Sequence, residues 1–175
     1  MEPVTKGIYL KILLHTMKKA SGSEIIKKIK EKMDIDFSPV RDYPMETEAK
    51  LIHEYLLLTN GVDTEQTQYD FGKLAFEAYL NSVFGKTMFS LMGNDVKKIS
   101  MGASKALGVV IGGVDVTSED TGPNSVIVRI KNAILHIRHF DGAFTGMFNS
   151  FGYNVKIDCE VITARDYEYR VQWWK

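Results

Sequence analysis

One cysteine, four prolines and four histidines in 175 residues leave little material for several kinds of chemistry. Cys159 has no partner in the chain for a disulfide, and no second thiolate with which to build a metal cluster. Its setting, KIDCEVI, reads as a strand, so the thiol is expected to be buried and inert. Neither sign of charge is in excess: 22 Lys and Arg balance 22 Asp and Glu, and no long basic run occurs. The electrostatic footprint of non-specific nucleic-acid binding is therefore missing. No apolar run approaches the ~18 residues of a membrane span. The stretch from Ile8 to Leu14 contains Lys11 and leads to no small-residue cleavage site, which argues against a signal peptide and places the chain in the cytoplasm. A Gly-x-Ser-x-Gly nucleophile elbow and a P-loop are absent. GVVIGGVD lacks the G-x-G-x-x-G spacing and runs into a strand pattern, so it reads as a turn and not as a phosphate loop.

What remains is the composition of an ordinary folded protein, 45% hydrophobic and 25% charged. The expected architecture is one α+β domain over 1–175, helical through 1–110 and sheet-rich over 111–175. Leu10, Leu13, Leu14 and Met17 repeat with helical period. Ser21 or Ser23 is placed to cap a second helix, EIIKKIKEKMD, whose lysines form a solvated face. DFSPVRDYP reads as a connector, since each proline biases its predecessor away from helix. A third helix opens near Met45, with Glu46 and Glu48 in the first turn where the helix dipole favours acids. The fourth begins near Thr64 and aligns Phe71, Leu74, Ala75, Ala78, Tyr79 and Val83, with Gly72 allowing close approach of another backbone. Residues 84–94 predict a short buried helix, and 95–110 a further one with Val96, Ile99, Ala103, Ala106 and Leu107 inward. Beyond Gly112 and Gly113 the period changes. VDVTSED and SVIVRIKN form one hairpin, HFDGAFTGMFNSFGY a helix, and VKIDCEVITARDYEYRVQWW a second hairpin. Two hairpins around one helix predict a mainly antiparallel four-stranded sheet.

HIRHFDG is the stretch with the most chemistry in it. On a helix His136 and His139 share one face and could begin a zinc site. In a strand His136 and Arg138 share a face while His139 points away. No third ligand is specified among Asp141, His15 and His53, and ordinary polar residues at a sheet-to-helix junction are the simpler reading. His136, Arg138 and His139 are kept as a candidate polar site, with no metal and no cofactor assigned. The aromatic inventory is larger. Phe71, Tyr79, Phe84, Met88, Phe89, Phe144 and Phe148 are either packing or the lining of an apolar ligand cavity between helices and sheet. Trp173 and Trp174, adjacent in a strand, must face opposite ways.

The combination RDYPM at 41–45, FGKLAFEAYLNSVFGK at 71–86, SLMGND at 90–95, GAFTGMFNSFGYNVKI at 142–157 and DYEYRVQW at 166–173 resembles a paralogous family of unknown function known chiefly from myxobacteria. The resemblance covers nearly the whole chain. More distantly, the sequence of strand pair, helix with an FG turn and strand pair is similar to a superfamily of three kinds of domain. These are the 4-vinyl reductase domain, the heme-nitric-oxide-binding domain and a subunit of the Golgi vesicle-tethering complex. That implies a scaffold for a ligand pocket or a partner. Heme-binding members supply a histidine from the helix before the first hairpin, and a Tyr-x-Ser-x-Arg motif. Here NDVKKISMGASKALGVV contains no histidine and the motif does not occur, so no heme ligand is carried over. Vinyl reductase members with clustered cysteines likewise pass on no metal to a chain with one.

Together these readings favour a non-enzymatic module that senses a small apolar ligand. The alternative is a homodimeric scaffold or adaptor meeting a protein partner without an internal ligand. An enzyme ranks behind both, because no constellation of residues is competent for catalysis.

Overall fold

A computed structural model describes residues 1–93, 95–102, 107, 108 and 110–175, without the side chains of Phe84 and Leu91. Among the described residues there are seven α-helices: α1 (Gly7–Ser21), α2 (Ser23–Met33), α3 (Met45–Asn60), α4 (Glu65–Asn81), α5 (Val83–Met92), α6 (Val96–Met101) and α7 (Ile137–Ser150). The strands are β1 (Val4–Lys6), β2 (Asp42–Pro44), β3 (Ile111–Gly112), β4 (Asp115–Gly122), β5 (Ser125–Lys131), β6 (Asn154–Thr163) and β7 (Asp166–Trp174). The fold is α+β, as the alternation of periods predicts. No helix among the described residues is long and apolar enough to cross a membrane.

Helix α1 buries the predicted Leu10, Leu13, Leu14 and Met17, and α2 buries Ile26, Ile29 and Met33 beneath its lysines. The serine cap expected for α2 does not form. Gly22, at φ 89°, occupies the N-cap, and the Ser21 hydroxyl instead shares a 2.7 Å hydrogen bond with the Tyr55 hydroxyl. Thr64 does cap α4: its Oγ1 accepts from the Thr67 amide at 3.3 Å, and the Thr64 amide donates to Thr67 Oγ1 at 2.8 Å. Thr64→Ala is expected to cost about 1 kcal/mol in urea unfolding, the usual weight of such a cap. The inward positions expected of Val96 and Ile99 are observed. Ala103 and Ala106 lie outside the described residues.

The four-stranded sheet has the order β4-β5-β7-β6, antiparallel throughout, with Val128 opposite Tyr169 at its centre. One face buries Val126, Val128, Ile130, Tyr167, Tyr169, Val171 and Trp173. Trp174 is half exposed, as strand alternation requires. The other face carries a charge ladder across all four strands. Arg129 bridges Glu119 and Glu168 at 2.8 Å each, and Arg170 bridges Glu168 at 3.1 Å and Glu160 at 3.3 Å. Cys159 is only half-buried, a correction to the buried thiol expected, because β6 is an edge strand. Burial still raises its thiol to about 11, so it stays protonated.

Helix α7 lies on the apolar face of this sheet. Phe140, Phe144 and Phe148, one turn apart, meet the sheet: the Phe144 ring packs edge-on to Tyr169 at 5.1 Å, and Phe148 lies 5.2 Å from Trp173. The next stripe of α7, Gly142 and Gly146, meets α4 so closely that a Cβ on Gly142 would sit 1.9 Å from the Tyr69 carbonyl oxygen. Reciprocally, a Cβ on Gly72 would sit 2.0 Å from the His139 carbonyl oxygen. The close approach predicted for Gly72 is thus a helix crossing of backbone on backbone.

A second sheet, of order β2-β1-β3, was not foreseen. Part of the expected connector at 36–44 is strand β2, and the stretch read as a turn contains β3. In β1, Thr5 is paired with Tyr43 on one side and Ile111 on the other. Strands of two or three residues have no periodicity to read. This small sheet presses Thr5 wholly into the interior, where it faces α3.

Candidate functional site

Between α1, α3, α4, α5, α6 and α7 lies a cavity of about 100 Å³. Six aromatic residues contribute to its wall, Tyr9 from α1, Phe76 and Tyr79 from α4, Phe89 from α5, and Phe140 and Phe144 from α7, beside aliphatic residues such as Ile99, Leu135 and Met147. Tyr9, Tyr79 and Phe89 form a chain of edge-on contacts, each pair of centroids 6.3 Å apart. The small residues Gly72, Ala75 and Ala143 leave the space that these rings enclose.

Four polar groups enter this apolar shell. Glu48 is 1% exposed, and its Oε2 accepts a 2.6 Å hydrogen bond from Thr5 Oγ1. Burial drives its carboxyl up to about 7, against the lowering effect of the Thr5 hydroxyl. Tyr9 is also held protonated, first by burial and then by the charges of Glu48 and Tyr79. The Tyr79 hydroxyl, raised by burial, has no hydrogen-bond partner among the described residues. His139, 4% exposed, is pushed down to about 4 by burial and next by His136, so its imidazole is neutral at physiological pH. Its Nδ1 too is buried without a partner among the described residues. No lysine or arginine lines the cavity among the described residues.

Of the residues proposed from sequence as ligand-binding, Tyr79, Phe89 and Phe144 line the cavity. Phe71 is buried beside it, 5.4 Å from Tyr55 and 5.9 Å from the His139 ring. Phe148 is wholly buried under Trp173, and Met88 is partly exposed on α5 without reaching the cavity. The side chain of Phe84 lies outside the described residues. The HIRH group is divided. His136 caps α7 from outside, its Nδ1 accepting from the Arg138 amide at 3.1 Å, while His139 points inward. Arg138 pairs with Asp141 and lies 5.2 Å over the Tyr69 ring. Among the described residues no group of three or more His, Cys, Asp or Glu is disposed to hold a metal. Glu48 had no sequence signal beyond its place in a first helical turn.

Comparisons with known proteins agree with this architecture. The fold is similar to that of an H-NOX protein from S. oneidensis in the Fe(II)NO ligation state, at TM-score 0.76 and 13% identity, covering 97% of this chain and 99% of that one. An unliganded Fe(II) H-NOX mutant from K. algicida aligns at TM-score 0.69 and 16% identity, covering 97% of each chain. An oxygen-binding H-NOX domain related to soluble guanylate cyclases aligns at TM-score 0.76 and 10% identity, covering 97% of this chain and 95% of the other. At these identities the likeness is one of fold alone. Nothing among curated proteins matches the sequence. A family described as "Protein of unknown function (DUF2378)" matches residues 3–174. With nearly its whole length inside that match, the chain belongs to the DUF2378 family.

Proposed function

We propose that this protein is a non-enzymatic, cytoplasmic ligand-sensing module, working as one α+β unit, whose cavity takes a small and mainly apolar molecule. The observation that carries the proposal is the pairing of an aromatic-lined cavity with buried polar atoms that lack partners among the described residues, Tyr79 Oη and His139 Nδ1. Buried polar groups are nearly always hydrogen-bonded, and unsatisfied ones in a cavity point to a missing ligand or water. The H-NOX neighbours favour a sensor on the same scaffold. Their iron group, however, does not fit this chain. The segment 94–110 before β4 has no histidine, and the cavity is well below the ~300 Å³ at which pockets for larger ligands begin. The α4–α7 wall is fixed backbone against backbone at Gly72 and Gly142.

The scaffold alternative has less behind it, since the outer sheet face carries the charge ladder where an obligate interface would be apolar. Native mass spectrometry of freshly purified protein is expected to show a non-covalent adduct on a fraction of the monomer. Ala75→Leu, which fills the cavity, is expected to remove it. A ligand at a hundred times its Kd should raise Tm by about 5–10 °C. A bare chain under gentle ionisation, together with no thermal response to small apolar compounds, would overturn the reading.

A further inference from the structure

We propose that the cavity selects a small organic ammonium ion, with Glu48 as its counter-charge and the surrounding aromatic rings as its cage. The inference rests on the reading of the cavity as a ligand site, and adds the charge of what enters. Glu48 is almost wholly buried, yet it forms no ion pair among the described residues. Its one described hydrogen bond comes from a neutral hydroxyl, that of Thr5. A buried carboxylate without a cation is unfavourable, and no lysine or arginine lines this cavity among the described residues. An anionic ligand would meet Glu48 with no described cation to offset it. A cationic one meets the carboxylate together with the aromatic rings of Tyr9, Tyr79, Phe89 and Phe144, a residue type whose quadrupole attracts positive charge.

The hydrogen-bond inventory agrees. A primary ammonium carries three N–H donors. The cavity residues offer three acceptors: the Glu48 carboxylate, Tyr79 Oη, and Nδ1 of a neutral His139 in the tautomer that leaves this nitrogen unprotonated. The volume limits the ligand to about four to six heavy atoms, given that a cavity of ~150 Å³ accepts benzene.

The test is titration calorimetry of the full chain at pH 8 with n-butylammonium, n-butanol and n-butyrate, on the natural protein and on Glu48→Gln, which retains an acceptor for Thr5. n-Butylammonium is expected to bind, n-butyrate to show no binding, and Glu48→Gln to weaken n-butylammonium by about tenfold or more while leaving n-butanol unchanged. If n-butanol binds the natural protein as tightly as n-butylammonium, or Glu48→Gln leaves n-butylammonium unaffected, the ammonium proposal falls and the cavity reading stands. If none of the three binds either protein, both fall. The comparison among ligands on the natural protein keeps the result decisive even if the variant folds poorly.

Discussion

Gly142→Ala lowers stability by about 3 kcal/mol or more, at the upper end of what one added methyl costs in a packed interior. The new Cβ would lie 1.9 Å from the Tyr69 carbonyl oxygen, while carbon and oxygen rest no closer than ~3.3 Å. Both partners are backbone, so neither can swing aside as a side chain would. The crossing of α4 and α7 must open by more than ~1 Å, which loosens the contacts on both sides of α7. Gly72→Ala, 2.0 Å from the His139 carbonyl oxygen, strains the same crossing. The double variant is therefore expected to cost clearly less than the sum of the two, because the second methyl enters a gap already opened. Gly61→Ala serves as the contrast. Nothing lies within 4 Å of its added Cβ, and only the left-handed φ of 74° resists it, at about 1 kcal/mol. Urea midpoints at constant slope measure all four variants. A Gly142→Ala protein within 1 kcal/mol of the natural chain would contradict a backbone-to-backbone crossing.

The second large effect is a pH dependence that the natural protein conceals. Burial raises Glu48 from its ordinary 4.5 to about 7. Between those values the folded chain holds a proton the unfolded chain has released, so the stability present below pH 4.5 is lost as pH rises through about 7. Burial lowers His139 from its ordinary 6.5 to about 4. There the unfolded chain binds the extra proton, so stability present above pH 6.5 is lost as pH falls through about 4. Each limb amounts to about 3 kcal/mol. They oppose each other over most of the range from 4.5 to 6.5, and the natural protein should show little slope there. Glu48→Gln removes one limb. Relative to the natural chain it should gain about 3 kcal/mol on going from pH 4.5 to pH 8, and its own stability should climb steeply from pH 4 to 6.5. The surface carboxylates titrate alike in both proteins and drop out of the difference. Parallel profiles for the two proteins would show that Glu48 is ionised freely in the folded state.

Much of this fold is legible in one dimension. The apolar spacing of Leu10, Leu13, Leu14 and Met17, and the alternation in SVIVRIK and DYEYRVQW, place α1, β5 and β7 because in each case one face alone is buried. Gly72 is readable as a point of close approach because only packing explains a glycine inside so regular a helical pattern. The candidate site is less legible, for a physical reason. An acid in a first helical turn is ordinarily solvated and steadied by the helix dipole, and nothing local distinguishes Glu48 from Glu46. What sets it apart is Thr5, 43 residues earlier, held in place by a strand too short to have a period. His136 and His139 illustrate the same limit, since their relation depends on where α7 begins, and it begins between them. Phenylalanine marks burial equally well along one stripe of α7, so Phe148 under Trp173 and Phe144 at the edge of the cavity look alike until the helices and sheet are in place.

The central position of β1 also sets a timetable for biosynthesis. Thr5 emerges from the ribosome early, but its partner Ile111 follows about a hundred residues later, several seconds at ordinary elongation rates. The strand therefore waits unfinished, with Glu48 still hydrated. Helix α7, which closes the chamber, is made later still. Whatever the chamber holds is thus enclosed in the last stage of maturation, when a molecule already in the surrounding solution could be captured as the walls come together.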